Sequence, residues 1–199
     1  MNREYKAYRK AYYILRVAFS IFYRVKAIGL ENIPAGGAIV CANHTSSMDP
    51  LFMIVAMLKK PHLRFMAKAE LFSSKIFGTI LKKIGSFAVN RSGADISAIR
   101  TAMRFLKNGE KVVIFPEGTR VSDDDAVVAK NGAVKLSAKV NVPILPVYVP
   151  RKKTFFKRNI IIIGEPYYIS GGEEKLTNDD YALAAEQLMV KIRSLSPEV

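Results

Sequence analysis

Apolar positions along the chain change period several times, and the changes mark out its elements. Tyr5, Tyr8, Tyr12, Leu15, Phe19 and Phe22 are spaced 3, 4, 3, 4, 3. That is one stripe on one long helix over residues 3–26, with Arg3, Lys6, Arg9, Lys10 and Arg24 mostly opposite. Gly29 to Pro34 and Ala35-Gly36-Gly37 read as turns. Beyond them, short unbroken apolar runs alternate with helical periods. Ala38 to Ala42, Leu63 to Ala67, Phe87 to Val89, Lys111 to Phe115, Ile144 to Val149 and Asn159 to Ile163 predict strands. Pro50 to Leu58, Ser74 to Ile84, Asn131 to Val140 and about Asp179 to Ser194 predict helices. Another helix, with Ile96, Ile99, Met103 and Leu106 on one side, is expected to open on a Ser92-x-x-Asp95 capping box and to close at Asn108-Gly109. Strands alternating with helices predict an α/β fold: a mixed, partly parallel sheet flanked by helices in a single domain over 27–199. Residues 1–26 form a separate N-terminal amphipathic, membrane-associating element in this reading.

Composition narrows the partners. The chain has 199 residues, half of them hydrophobic, which allows a sizeable core and argues against disorder. Its formal net charge is +14, which points to an anionic partner: nucleic acid, an acidic membrane surface or phosphorylated substrates. Residues 1–30 carry seven Lys/Arg and one Glu, and residues 51–91 carry eight and one. Basic residues opposite an aromatic-rich helical face fit a helix lying in a membrane interface. An ordinary packed helix with solvated lysines fits the same pattern. No run reaches the roughly 20 apolar residues of a transmembrane helix, and charges continuing through Arg16, Arg24 and Lys26 do not fit a cleavable signal. The single cysteine, Cys41, allows no internal disulfide and reads as a small core residue.

Three stretches carry candidate chemistry, each after a predicted strand. In Asn43-His44-Thr45-Ser46-Ser47-Met48-Asp49-Pro50, a histidine precedes an aspartate by five positions. Histidine is the usual general base near neutral pH, and a carboxylate that holds the imidazole improves it. No serine or cysteine nucleophile pattern accompanies the pair, so the base would act on a substrate's own hydroxyl. Asp49 has a plainer role open to it, because Ser46-x-x-Asp49 is a capping box and Asp49-Pro50 fits a helix start. In Phe115-Pro116-Glu117-Gly118-Thr119-Arg120, a sharp turn at a strand end presents an arginine able to grip a phosphate and a glutamate able to orient it. A turn with a surface ion pair fits equally well. In Gly85 to Arg91, Arg91 ends a strand beside a helix N-terminus, a place suited to anions. A solvated arginine is the simpler reading. The basic–aromatic run Arg151 to Arg158 suits a loop touching an anionic membrane, or a surface for stacking on single-stranded nucleic acid.

Taken in order, the NH-x4-D, G-x5-R, FPEGTR and VPILPV blocks (the last being Val142 to Val147) resemble the 1-acylglycerol-3-phosphate O-acyltransferases, the PlsC-type glycerolipid acyltransferases. Gly29 to Pro34 and Lys130 to Ala133 are similar to the family too, so the resemblance spans about residues 25–150. It implies that His44 is the general base and Asp49 its orienting partner. Arg91, Glu117, Gly118, Thr119 and Arg120 would line the site for the acceptor's glycerol phosphate. The implied reaction moves a fatty acyl group from acyl-coenzyme A or acyl carrier protein to the free hydroxyl of lysophosphatidic acid, giving phosphatidic acid. No cofactor and no metal is expected. The implied place of work is the cytoplasmic face of the cell membrane, with the protein peripheral or monotopic. An acyltransferase with another acceptor, such as glycerol 3-phosphate or a different lyso-lipid, stays open. So do two functions of another class, a non-catalytic membrane-binding protein and a nucleic-acid-binding module. Intact motifs argue against the first. A charge carried on an amphipathic helix, with no nucleic-acid motif, argues against the second, so no nucleic-acid partner is expected.

Overall fold

The computed structural model describes residues 13, 17, 19, 21–57, 63–90, 95–121, 128–169 and 176–197. A seven-stranded sheet runs through its centre. The strands are β1 (Val25–Ile28), β2 (Ala38–Ala42), β3 (Leu63–Lys68), β4 (Phe87–Val89), β5 (Lys111–Ile114), β6 (Ile144–Tyr148) and β7 (Asn159–Ile163), in spatial order β1-β7-β6-β2-β5-β3-β4. The neighbours from β6 across to β4 pair in parallel. Only the β6–β7 pair is antiparallel, so β7 and its parallel partner β1 run against the other five. The sheet is therefore mixed and mostly parallel, as the sequence predicts.

Among the described residues that follow β1, five α-helices flank the sheet: α1 (Asp49–Met57), α2 (Lys75–Lys83), α3 (Ile96–Lys107), α4 (Gly132–Val140) and α5 (Asn178–Ser194). β2 shows how the layers form. Its five residues are wholly buried and alternate between two cores. Val40 and Ala42 face Phe52, Met53 and Met57 of α1, whereas Ile39 and Cys41 face Leu106 of α3, Val134 of α4 and Leu188 of α5. A strand covered on both faces needs no polar positions, which is why it reads as an unbroken apolar run. Cys41 is a core residue, as expected.

Two elements depart from the sequence reading. The N-terminal helix does not run to residue 26. Among the described residues Tyr13, Val17, Phe19, Ile21 and Phe22 are helical. The Tyr23 N–H closes the last turn onto the Phe19 carbonyl at 2.9 Å. Arg24 then adopts φ 44°, and the chain enters β1, in register with β7 from Val25↔Asn159. β1 is a short edge strand carrying Lys26 at an exposed position, so its apolar signal is too weak to separate from the helix before it. The expected stripe is split as well. Phe19 is buried edge-on against Phe52, with ring centroids 5.1 Å apart. Phe22 is exposed, together with the separate line Tyr13, Val17 and Ile21. Tyr5, Tyr8, Tyr12 and Leu15 lie outside the described residues. The second departure is at α3, which starts at Ile96 with Asp95 itself as N-cap. The Asp95 carboxylate accepts from the Ala98 N–H at 3.0 Å and, through its other oxygen, from the Asn90 N–H at 2.8 Å. The aspartate does the capping that the sequence assigns to Ser92, which is outside the described residues.

Candidate active site

Parallel strands deliver their following loops to one edge of the sheet, and the chemistry-bearing loops after β2, β5 and β6 emerge there side by side. Asn43, directly after β2, fastens this edge. Its side-chain amide donates to the Val149 carbonyl and its oxygen accepts from the Val149 N–H, both at 2.8 Å. The next residue, His44, is thereby held where β2 and β6 end. Its ring stacks on Phe115 at 4.0 Å between centroids. Its carbonyl accepts from the Val121 N–H at 2.9 Å. Its own N–H donates to Glu117 Oε2 at 2.6 Å.

His44 Nδ1 lies 2.9 Å from Asp49 Oδ2. The same oxygen accepts from the Thr45 and Ser46 backbone N–H groups at 2.8 Å each. Asp49 thus makes two kinds of contact at once. The carboxylate supplies the helix-start hydrogen bond to Ser46 and also holds the imidazole. Burial alone would push the wholly buried Asp49 carboxyl up. Hydrogen bonds from His44 and Lys153, the Lys153 charge and the Ser46 N–H outweigh burial and hold the group below its ordinary value. An ionised Asp49 favours the tautomer in which Nδ1–H donates a hydrogen bond to it and Nε2 carries the lone pair. A neutral imidazole in that tautomer can take a proton from a hydroxyl, and the carboxylate stabilises the cation that results.

The Phe115–Arg120 turn follows β5. Gly118 takes φ +70°, and a Cβ there would come within 2.7 Å of Lys130 Cε, so the turn as built favours glycine. Glu117 points inward and is 7% exposed. Burial raises its carboxyl to about 7, opposed by the His44 N–H and by the charges of Arg193 and Arg151, and reinforced by the Asp49 charge. One of its oxygens is committed to the His44 main chain. Thr119 and Arg120 are exposed. Arg91 lies outside the described residues. The strand before it, β4, is at the sheet edge, three strands from β2. The structure therefore brings His44, Asp49, Glu117 and Gly118 together and leaves Thr119 and Arg120 on the surface beside them. Among the described residues no three His, Cys, Asp or Glu side chains gather as a metal site.

Lys153 belongs to this constellation, although its local sequence does not single it out. It follows β6, the neighbour of β2, and turns its ammonium onto Asp49 Oδ1. The signal available for it is position: a basic residue just past a strand end beside the histidine strand. A cavity of 510 Å³ opens next to the Phe115–Gly118 turn, bounded among others by Met66, Val89, Ile99 and Leu136, with Lys130 and Lys139 also contributing.

The protein is thus a mostly parallel α/β domain with a histidine–aspartate pair at the ends of its central strands. The acyltransferase family model matches residues 24–150. A Bacillus subtilis 1-acyl-sn-glycerol-3-phosphate acyltransferase is 35% identical over 187 residues, covering 91% of this chain and 92% of that protein. A 1-acyl-sn-glycerol-3-phosphate acyltransferase from Borreliella burgdorferi is 33% identical over 141 residues, 69% of this chain and 56% of that one. The crystal structure of the 1-acyl-sn-glycerophosphate acyltransferase PlsC from Thermotoga maritima superposes with a TM-score of 0.70. That match has 26% identity and covers 98% of this chain and 81% of that one. The chain belongs to the 1-acyl-sn-glycerol-3-phosphate acyltransferase family.

Proposed function

We propose that this acyltransferase moves a fatty acyl group from a thioester, acyl-coenzyme A or acyl carrier protein, to the free hydroxyl of 1-acylglycerol 3-phosphate. The observation that carries the reading is the His44 Nδ1–Asp49 Oδ2 contact of 2.9 Å, in a chain whose relatives are named for lysophosphatidic acid acylation. His44 Nε2 takes the proton as the acceptor oxygen attacks the thioester carbonyl. A carbon–oxygen bond forms, the carbon–sulfur bond breaks, and the departing thiolate takes the proton back from His44. No acyl-enzyme forms, and no cofactor is required. Arg91 and Arg120 neutralise the acceptor's phosphate, with Glu117, Gly118 and Thr119 shaping the turn that presents Arg120. The apolar cavity beside Phe115 gives a fatty acyl chain room out of water.

The chain works at an anionic bilayer surface in this reading, on the cytoplasmic face. No helix among the described residues is long and apolar enough to cross a membrane. Support for peripheral contact comes from a ridge of exposed apolar side chains: Tyr13, Val17, Ile21, Phe22, Phe155 and Phe156. The Phe156 N–H donates to the Phe22 carbonyl at 2.6 Å, and Tyr23 stacks on Phe155 at 4.6 Å, so the helix end and the loop after β6 form one surface. Exposed Arg24, Lys26, Lys152, Lys157 and Arg158 flank it. Apolar tips among cations match an anionic lipid interface.

The test is acyl transfer to lysophosphatidic acid in vesicles, with the two donor thioesters supplied separately. His44→Ala, checked for folding, is expected to lose about 10²–10⁴-fold of the rate. A folded His44→Ala variant with wild-type turnover would sink the general-base mechanism. Turnover only with glycerol 3-phosphate or another lyso-lipid would replace the acceptor.

A further inference from the structure

We propose that Lys153 is a positioning residue for the acyl transfer, completing a Lys153–Asp49–His44 chain of contacts; this rests on His44 acting as the base. The Asp49 carboxylate is wholly buried, and its two oxygens have separate duties. Oδ2 is used up by His44 Nδ1, Thr45 N–H and Ser46 N–H. Oδ1 faces the Lys153 ammonium. Rotation about the Cβ–Cγ bond carries both oxygens together, so a cation on Oδ1 adds a second anchor against that rotation. Lys153 thus fixes the direction in which Oδ2 meets the imidazole.

The lysine is itself held. Its side chain is 8% exposed, unlike the exposed neighbouring Lys152. Its ammonium donates to Thr45 Oγ1 at 3.0 Å and lies 3.5 Å from the Arg151 carbonyl. Thr45 therefore joins the network twice, through its N–H on Asp49 and through its hydroxyl on Lys153. Drawing an ammonium out of water carries a desolvation cost, which a partner anion and two oxygen acceptors offset. The charge count also suits the chemistry. Lys153 and Asp49 cancel in the resting state, which favours the ionised carboxylate. When His44 accepts the proton, the oriented carboxylate is already in place and nothing has to reorganise.

Steady-state kinetics separate this role from its rivals. Vesicle assays with lysophosphatidic acid and an acyl thioester would compare wild type, Lys153→Met, Lys153→Gln, Lys153→Arg and His44→Ala, with each fold checked by circular dichroism. The Met and Gln variants are expected to lose kcat by about 10- to 100-fold, the scale of a misplaced catalytic group, with KM for the acceptor unchanged. Lys153→Arg, which keeps the cation, is expected to recover most of kcat. The low-field proton resonance of the His44 Nδ1–H should be present in wild type and Lys153→Arg and broaden in Lys153→Met or Lys153→Gln. Wild-type kcat in a folded Met or Gln variant overturns the proposal while leaving the base intact. A raised KM at constant kcat overturns it in favour of a direct hold on the acceptor. If Met and Gln both fail to fold, Lys153→Arg decides: wild-type-like kcat and resonance sustain the role, and a lost resonance at full turnover overturns it. Full activity in His44→Ala would overturn the underlying mechanism instead.

Discussion

The sequence offers Glu117 as a ligand for substrate, and in the fold its carboxylate also accepts from the His44 main chain and titrates near neutrality. Its carboxyl is raised from an ordinary 4.5 to about 7, chiefly by burial. The folded protein therefore holds a proton there that the unfolded chain has released. That stabilising contribution is complete below the ordinary value and is lost as pH rises through about 7. Glu117→Gln keeps an oxygen for the His44 N–H and cannot ionise. Thermal scans from about pH 5 to about pH 8 should show wild type losing ground to Glu117→Gln by about 1–3 kcal/mol. Parallel curves for the two proteins would mean that Glu117 is ionised throughout. Asp49 behaves oppositely, because its folded value is depressed. Its contribution is present above the ordinary aspartate value and lost only as pH falls through the lower, folded one. His44, Asp49, Glu117 and Gly118 are all legible in the sequence as candidates because their spacing is local. Lys153 is not, since nothing near it in the chain distinguishes it from Lys152.

Elements differ in how well local pattern predicts them. β2, β5 and β6 are buried on both faces and read directly as apolar runs. β1 merges with the preceding helix in the sequence pattern, because its existence depends on β7, more than 130 residues away in register. Two single substitutions separate element stability from site geometry. Asn43→Ala strips both main-chain groups of Val149 of their partner in a buried position. It should cost about 2 kcal/mol in urea unfolding and also lower turnover, because the same bonds seat His44. Thr177 caps α5 in a reciprocal capping box with Asp180, far from the site. Thr177→Ala should cost about 1 kcal/mol and leave kcat untouched. Equal effects of the two on turnover would show that Asn43 acts only through stability.

At the scale of the whole molecule, the end of the N-terminal helix and the loop after β6 meet in one cluster of exposed phenylalanines. Phe155 and Phe156 are 57% and 65% exposed, next to Phe22 at 46%. Replacing both loop phenylalanines by serine removes the apolar tips and keeps every charge. Sedimentation with anionic vesicles should show binding weakened about a hundredfold or more, from a loss of roughly 1.5–3 kcal/mol for each of the two rings when fully buried. Wild-type binding should also fall as salt screens the flanking cations. Unchanged binding in the double variant would place the contact surface elsewhere.

The sequence by itself determined the alternation of strands and helices, the two-faced burial of the central strands, the net positive charge and the histidine–aspartate pair. Each of these depends on neighbours a few residues apart. Tertiary structure alone decided that Val25–Ile28 is a strand, that Phe19 and Phe22 part company, and that Glu117 supports His44 from beneath. It also turned one lysine of a basic loop inward onto Asp49. These outcomes depend on which strand ends lie side by side. β6 sits beside β2, and that adjacency, set by a sheet order that scrambles the chain order, brings residues 44, 49 and 153 into one cluster.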